Sequence, residues 1–151
     1  MKKIILSLVL MFLMLIPMEV GALDTNTTTY YEYLDDGSYY EITIEEKLIG
    51  VRSSIVKGNK TAKYKDGNGK ACWYVKVTGT FSYNGKSATC TASSVSAGVY
   101  DNSWKITNKS SSHSGASASA SATATYYYNG KAVDKKTKTV KLSCSANGKL
   151  S

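Results

Sequence analysis

An alternating run that ends in Asn-Gly occurs twice in this chain. Thr78 to Ala88 reads Thr-Gly-Thr-Phe-Ser-Tyr-Asn-Gly-Lys-Ser-Ala. Thr123 to Ala132 reads Thr-Ala-Thr-Tyr-Tyr-Tyr-Asn-Gly-Lys-Ala. Asn-Gly between two alternating runs signals a tight β-hairpin, because a type I′ turn needs positive φ at both central residues. Two similar hairpins therefore organise the chain. The only proline is Pro17, and tyrosine, threonine, serine and valine are abundant, which is a composition suited to strands.

Residues 1–22 read as a secretory signal peptide. Lys2 and Lys3 form its charged start, Ile4 to Pro17 its apolar run, and Val20-Gly21-Ala22 its cleavage site. No cysteine directly follows the apolar run to take a lipid anchor, and no second apolar segment closes the chain, so release to the cell exterior is expected. The rest divides by charge. Residues 23–58 form an acidic, tyrosine-rich arm and linker, and residues 59–151 a basic body. Between residues 23 and 50 seven carboxylates face one lysine; beyond them sixteen basic residues face three acids. Lysine supplies nearly all of this positive charge, whereas bidentate reading of bases favours arginine. A diffuse positive field is expected, with no specific nucleic-acid site.

Strand phase gives the fold. Thr25–Thr29 reads as disordered. Tyr30–Glu46 reads as a hairpin turning at Asp36-Gly37, which would set Glu32 opposite Glu41, an unfavourable like-charge pair. Lys47–Gly58 reads as a linker. Lys60–Asp66, Lys70–Tyr83 and Lys86–Ser93 form an antiparallel sheet, with Ala62 opposite Trp73 and Gly79 opposite Cys90. Beyond Ser93-Ser94 the apolar phase flips, which predicts a bulge or a change of sheet. Trp104 starts a further strand, and Ser110–Gly115 reads as a loop holding the only histidine, His113. Ala116–Thr125 alternates strictly and reads as a strand whose alanines let a facing sheet approach closely. For the final strand to put Val140, Leu142 and Cys144 on the alanine side, a bulge is required near Lys135-Lys136. The expected architecture is an all-β antiparallel sandwich of about seven strands.

Cys90 and Cys144 share core-facing phases, while Cys72 lies on the outer phase of its strand. The expectation is a Cys90–Cys144 disulfide with Cys72 left as a free thiol or a dimer bridge. Cys90, Trp104 and Cys144 resemble immunoglobulin spacing, but Leu142 stands where that family's tyrosine corner would be. Three segments resemble an uncharacterised family of small secreted β-rich proteins of Gram-positive bacteria: Asp36-Gly37-Ser38-Tyr39, Thr78 to Gly85, and Leu142 to Gly148. These are turn and core residues, so the resemblance implies a shared fold and carries over no active site. It also marks Cys72 as a departure from a more usual aliphatic residue.

Catalytic constellations are missing from the sequence. His113 stands alone among serines and lacks the acid and oxyanion donors of a triad. The cysteines and histidine lack zinc-ligand spacing. Asp66-Gly-Asn-Gly lacks the end of a phosphate loop and the glutamate of a calcium loop. No catalysis, cofactor or metal is expected. Surface remains: Tyr74, Lys76, Tyr127, Lys135, Lys136 and Lys138 are the candidate binding residues, for an anionic wall polymer or a glycan. The alternative is a cationic membrane-active or antimicrobial effector.

Overall fold

The computed structural model describes residues 25–49 and 54–151. The segment read as a signal peptide lies outside them. The chain forms eight strands: β1 (Thr25–Tyr33), β2 (Tyr39–Leu48), β3 (Ile55–Lys65), β4 (Ala71–Tyr83), β5 (Ala88–Val99), β6 (Trp104–Ser114), β7 (Ser117–Tyr128) and β8 (Lys131–Ser143). They make two antiparallel meanders, a five-stranded sheet in the order β1-β2-β3-β4-β5 and a three-stranded sheet in the order β6-β7-β8. Sheet packing sets β7 and β8 against β4, and β8 against β3. Sequence reading is corrected at three places. Thr25–Thr29 is strand, Lys47–Leu48 and Ile55–Gly58 belong to β2 and β3, and Ser110–Ser114 completes β6. The acidic arm is thus hydrogen-bonded into the sheet as its first two strands.

One core joins the two sheets. Ala118, Ala120, Ala122 and Ala124 of β7 are buried, and they bring the layers close. A Cβ on Gly79 of β4 would sit 3.2 Å from the Ala118 Cβ and would collide with the Phe81 ring. At one end, aromatic rings bridge the layers. Trp104 of β6 lies 5.4 Å from Tyr64 and 6.4 Å from Trp73 on the facing sheet, and 5.3 Å from Tyr126 beside it. The Trp73 indole N–H has no oxygen acceptor within this cluster.

Bulges set the phase of four strands. In the β3–β4 ladder Tyr64 pairs with Trp73 and Lys65 with Ala71, so Cys72 is the extra residue. The predicted pairing of Ala62 with Trp73 is replaced by Ala62 with Val75. The bulge moves Cys72 from the expected outer phase into a buried site, and its carbonyl accepts the N–H groups of Tyr100 and Asp101. The phase flip in β5 comes from an extra Thr91, upstream of its expected place, so Phe81 rather than Gly79 faces Cys90. Thr107 is the extra residue of β6. In β8 the required bulge falls at Val133 and sets Val140 and Leu142 beside the alanines.

The two Asn-Gly turns differ. Asn129 and Gly130 both have positive φ, and Tyr128 pairs with Lys131 across a two-residue loop. Between β4 and β5 the loop is longer: Tyr83 pairs with Ala88, only Gly85 has positive φ, and Asn84 Oδ1 accepts the N–H groups of Lys86 and Ser87.

Candidate functional site

Side chains alternate across the five-stranded sheet, so each rung of its outer face is fixed by register. One rung runs Tyr31, Glu41, Lys63, Tyr74 and Gly98 from β1 to β5. The next runs Thr29, Thr43, Thr61, Lys76 and Ser96. On the other side Tyr33, Tyr39 and Lys65 follow. The middle of the first two rungs lines a depression of about 460 Å³, bounded by Glu41, Glu45, Lys63, Tyr74, Lys76 and Tyr100.

Tyr74 forms one end of the depression. Its ring lies across Gly98, where an added Cβ would come within 2.8 Å of the ring. Tyr100 meets it at a centroid separation of 5.6 Å, with Lys63 Nζ 6.0 Å from the Tyr100 ring. The Tyr74 hydroxyl is 3.4 Å from Ser96 Oγ. Glu41 occupies the centre and takes Lys65 at 2.6 Å and Lys63 at 3.1 Å. The Lys65 hydrogen bond, seconded by Lys63, holds its carboxyl below the usual range, and Glu41 in turn raises the Lys65 ammonium. Outside the depression, at the β1 end of the sheet, stand three tyrosines. Tyr33 and Tyr39 are 5.4 Å apart, and Tyr31 lies 6.0 Å from Tyr39. Tyr31, Tyr33 and Tyr100 are each more than half exposed.

The six residues singled out from sequence fall in three places. Tyr74 and Lys76 belong to the depression. Tyr127 lies on the outer face of the three-stranded sheet beneath Lys105, whose Nζ is 5.0 Å from its ring. Lys135 is exposed on that same face. Lys136 and Lys138 correct the expectation of an outward basic patch: they pair with Ala124 and Ala122, and so lie on the inner phase of β8. Their stems cover the aromatic end of the core, with Lys138 Nζ 4.6 Å from the Tyr40 ring and Lys136 Nζ 5.5 Å from that of Tyr64. Their ammonium groups meet acids of the first hairpin, Lys138 with Glu32 and Lys136 with Asp36. Acidic hairpin and basic body are joined here. Burial works against the Lys136 charge, yet the bond to Asp36 raises its pKa. Hydrogen bonds from the Ser38 side chain and backbone, then from Lys136, hold Asp36 at about 2.

Tyr31, Tyr33 and Tyr39 escaped sequence reading because the first hairpin closes through five residues, Leu34 to Ser38. Tyr33 then faces Tyr39, and Glu32 faces Tyr40 instead of Glu41. Tyrosine at alternate positions before and after an Asp-Gly turn was the available signal.

All three cysteines are free and buried, and burial pushes each thiol up. The Cys90 N–H bonds to the Gly115 carbonyl and the Cys144 N–H to that of Ala116, which puts both residues beside one turn. Exposed His113 has Ser93 Oγ 3.3 Å from its Nδ1. Among the described residues no group of three or more His, Cys, Asp or Glu could hold a metal ion. No family model, curated protein or solved structure matches the chain.

Proposed function

We propose that this protein is an exported, non-catalytic binding module built on a β-sandwich, with residues 1–22 as its signal peptide. Its ligand-facing surface is the outer side of the five-stranded sheet, and its ligand is a glycan of the cell exterior. One observation carries this reading: half-buried Tyr74 and exposed Tyr100 form a tilted aromatic pair on the rim of a depression that holds carboxylate, ammonium and hydroxyl groups. Sugars present apolar C–H faces and many hydroxyls. Aromatic rings with polar rims match that combination.

An anionic wall polymer is the second reading. It is favoured by Lys76, which makes no ion pair among the described residues, and by the chain's formal net charge of +8. Salt separates the two, because screening weakens exposed charge contacts far more than stacking. The test is co-sedimentation of the purified protein with insoluble glycans and with teichoic-acid-bearing walls across a salt titration. The glycan reading expects binding that survives high salt and falls in Tyr74→Ala. Binding that disappears with salt and persists in Tyr74→Ala would replace it with the polymer reading. Vesicle leakage without glycan binding would instead support a membrane-active effector.

A further inference from the structure

Tyr31 and Tyr74 occupy the same rung of the outer face, three strands apart. Neighbouring strands are separated by about 4.8 Å, so the two rings stand roughly 14 Å apart across the sheet. Each ring belongs to a group, Tyr31 with Tyr33 and Tyr39, Tyr74 with Tyr100. The rung between them is polar, and Glu41 is fixed there by two lysines. We propose that this rung is a single extended subsite array. It binds an unbranched, uncharged oligosaccharide that runs perpendicular to the strands, with a sugar stacked at each aromatic end and its hydroxyls bonded between them. This rests on the glycan reading above and adds ligand length, direction and neutrality to it.

Neutrality follows from the side chains. Glu41 and Glu45 stand in the depression with Lys63 and Lys76, and Glu41 is already bound by Lys63 and by Lys65 of the adjoining row. A polyanion would meet the Glu41 carboxylate within the rung and that of Glu45 beside it. A neutral chain meets a fixed acceptor in Glu41 and fixed donors in Lys63 and Lys65. Direction follows from the tyrosines. Tyr31 and Tyr74 share one cross-strand row, Tyr33 and Tyr39 stand on the row to one side of it, and the row on the other side is threonine, lysine and serine.

The test is calorimetric titration with cello-, xylo- and chito-oligosaccharides of two to six sugars. Wild type should gain affinity with length until both ends are reached, by about tenfold or more. The Tyr31→Ala/Tyr33→Ala protein should bind short oligomers as wild type does and lose the length gain. Tyr74→Ala should weaken every length. Far-UV circular dichroism keeps folding separate from binding, and Tyr31→Phe/Tyr33→Phe, which keeps the rings, should restore the length gain. Length-independent binding, or unaltered length dependence in Tyr31→Ala/Tyr33→Ala, overturns the array but leaves a Tyr74–Tyr100 glycan site standing. Absence of binding to any neutral oligosaccharide overturns both.

Discussion

Tyr74 lies across Gly98 on the neighbouring strand, so closely that a single methyl group there would strike its ring. Glycine weakens a strand interior but also marks a close approach, and here the approach is made by an aromatic side chain. Gly98→Ala should therefore tilt Tyr74 away from Tyr100 while leaving the ladder intact. Glycan binding should fall about tenfold, a change of ~1.4 kcal/mol. Stability should move by less than about 1 kcal/mol, because alanine also lowers the entropy of the unfolded chain. Near-UV circular dichroism would report the tyrosine pair. Unchanged binding would show that Tyr74's placement does not matter to the ligand.

Lys138 acts through its stem as much as its charge. Its side chain is only 19% exposed, spans the Tyr40 ring and reaches Glu32. Inward-pointing lysines cover apolar surface and deter strand addition at an open edge. Lys138→Ala should cost about 1–2 kcal/mol through lost packing and ring contact, and Lys138→Met, which keeps the stem, less than half of that. Urea melts of both variants check the ratio. Equal losses would assign the effect to the ion pair alone.

Strand identity was largely legible from alternation, and the bulges were the difficult part. The need for a bulge in β8 follows from the conflict between its turn and its apolar phase, and one occurs at Val133. At Cys72 no such conflict exists, because Tyr64 and Ala71 already agree in polarity, so the bulge there left no trace in the sequence. The same applies to the site. Tyr74 and Lys76 were readable from the phase of one long strand. Tyr31, Tyr33 and Tyr39 needed the loop length of a hairpin, where a single residue decides which side chains share a rung. Lys136 and Lys138 looked like surface because nothing local shows that a lysine covers rings of the other sheet.

Acid should destabilise the fold, and at Asp36–Lys136 it should loosen a contact between the two sheets. Asp36 is held at about 2 against an ordinary 3.8, and Glu41 and Asp101 are also lowered, by Lys65 and Lys70 respectively. Folded-state pKa values below the unfolded ones mean that the folded state favours the charged carboxylates. Their stabilisation is complete above the unfolded pKa and disappears as pH falls through the folded one. The urea midpoint should hold above about pH 5 and decline toward pH 2. Asp36→Asn should flatten the part of this decline below pH 4. An identical acid limb in that variant would remove Asp36 from the account.

The buried thiols give two linked expectations. Native protein should react slowly with a thiol reagent, since each sulfur is withdrawn from solvent and its thiolate disfavoured. Under thiol–disulfide exchange with glutathione disulfide, Cys90 and Cys144 should be the pair that closes, releasing two glutathione thiols, because both are anchored on adjacent carbonyls of one turn. Peptide mapping after blocking free thiols would identify the bridge. A bridge involving Cys72 would contradict this pairing, and a protein that keeps three titratable thiols throughout would rule out the bridge altogether.

Leu150 closes the end of the core opposite the aromatic cluster. After β8 the chain turns through Ser145–Lys149 and returns antiparallel, with Ser151 and Ser143 exchanging both backbone hydrogen bonds and Leu150 opposite Cys144. Leu150 is 6% exposed and packs directly over Gly58 of β3, a position with no room for a side chain. The fold thus uses its last residues to cover the gap that this glycine leaves. Leu150→Ala should cost about 2–3 kcal/mol, the usual loss for a buried leucine at a site that collapses only in part. Gly58→Ala should cost at least as much, because its methyl would contest the same space. The double variant should then be less destabilised than the sum of the two, since removing the leucine side chain relieves one of the methyl's two clashes and leaves that with the Glu45 carbonyl oxygen, 2.7 Å away. Urea denaturation of the three proteins forms the cycle. Strict additivity would show that the two residues do not share this space.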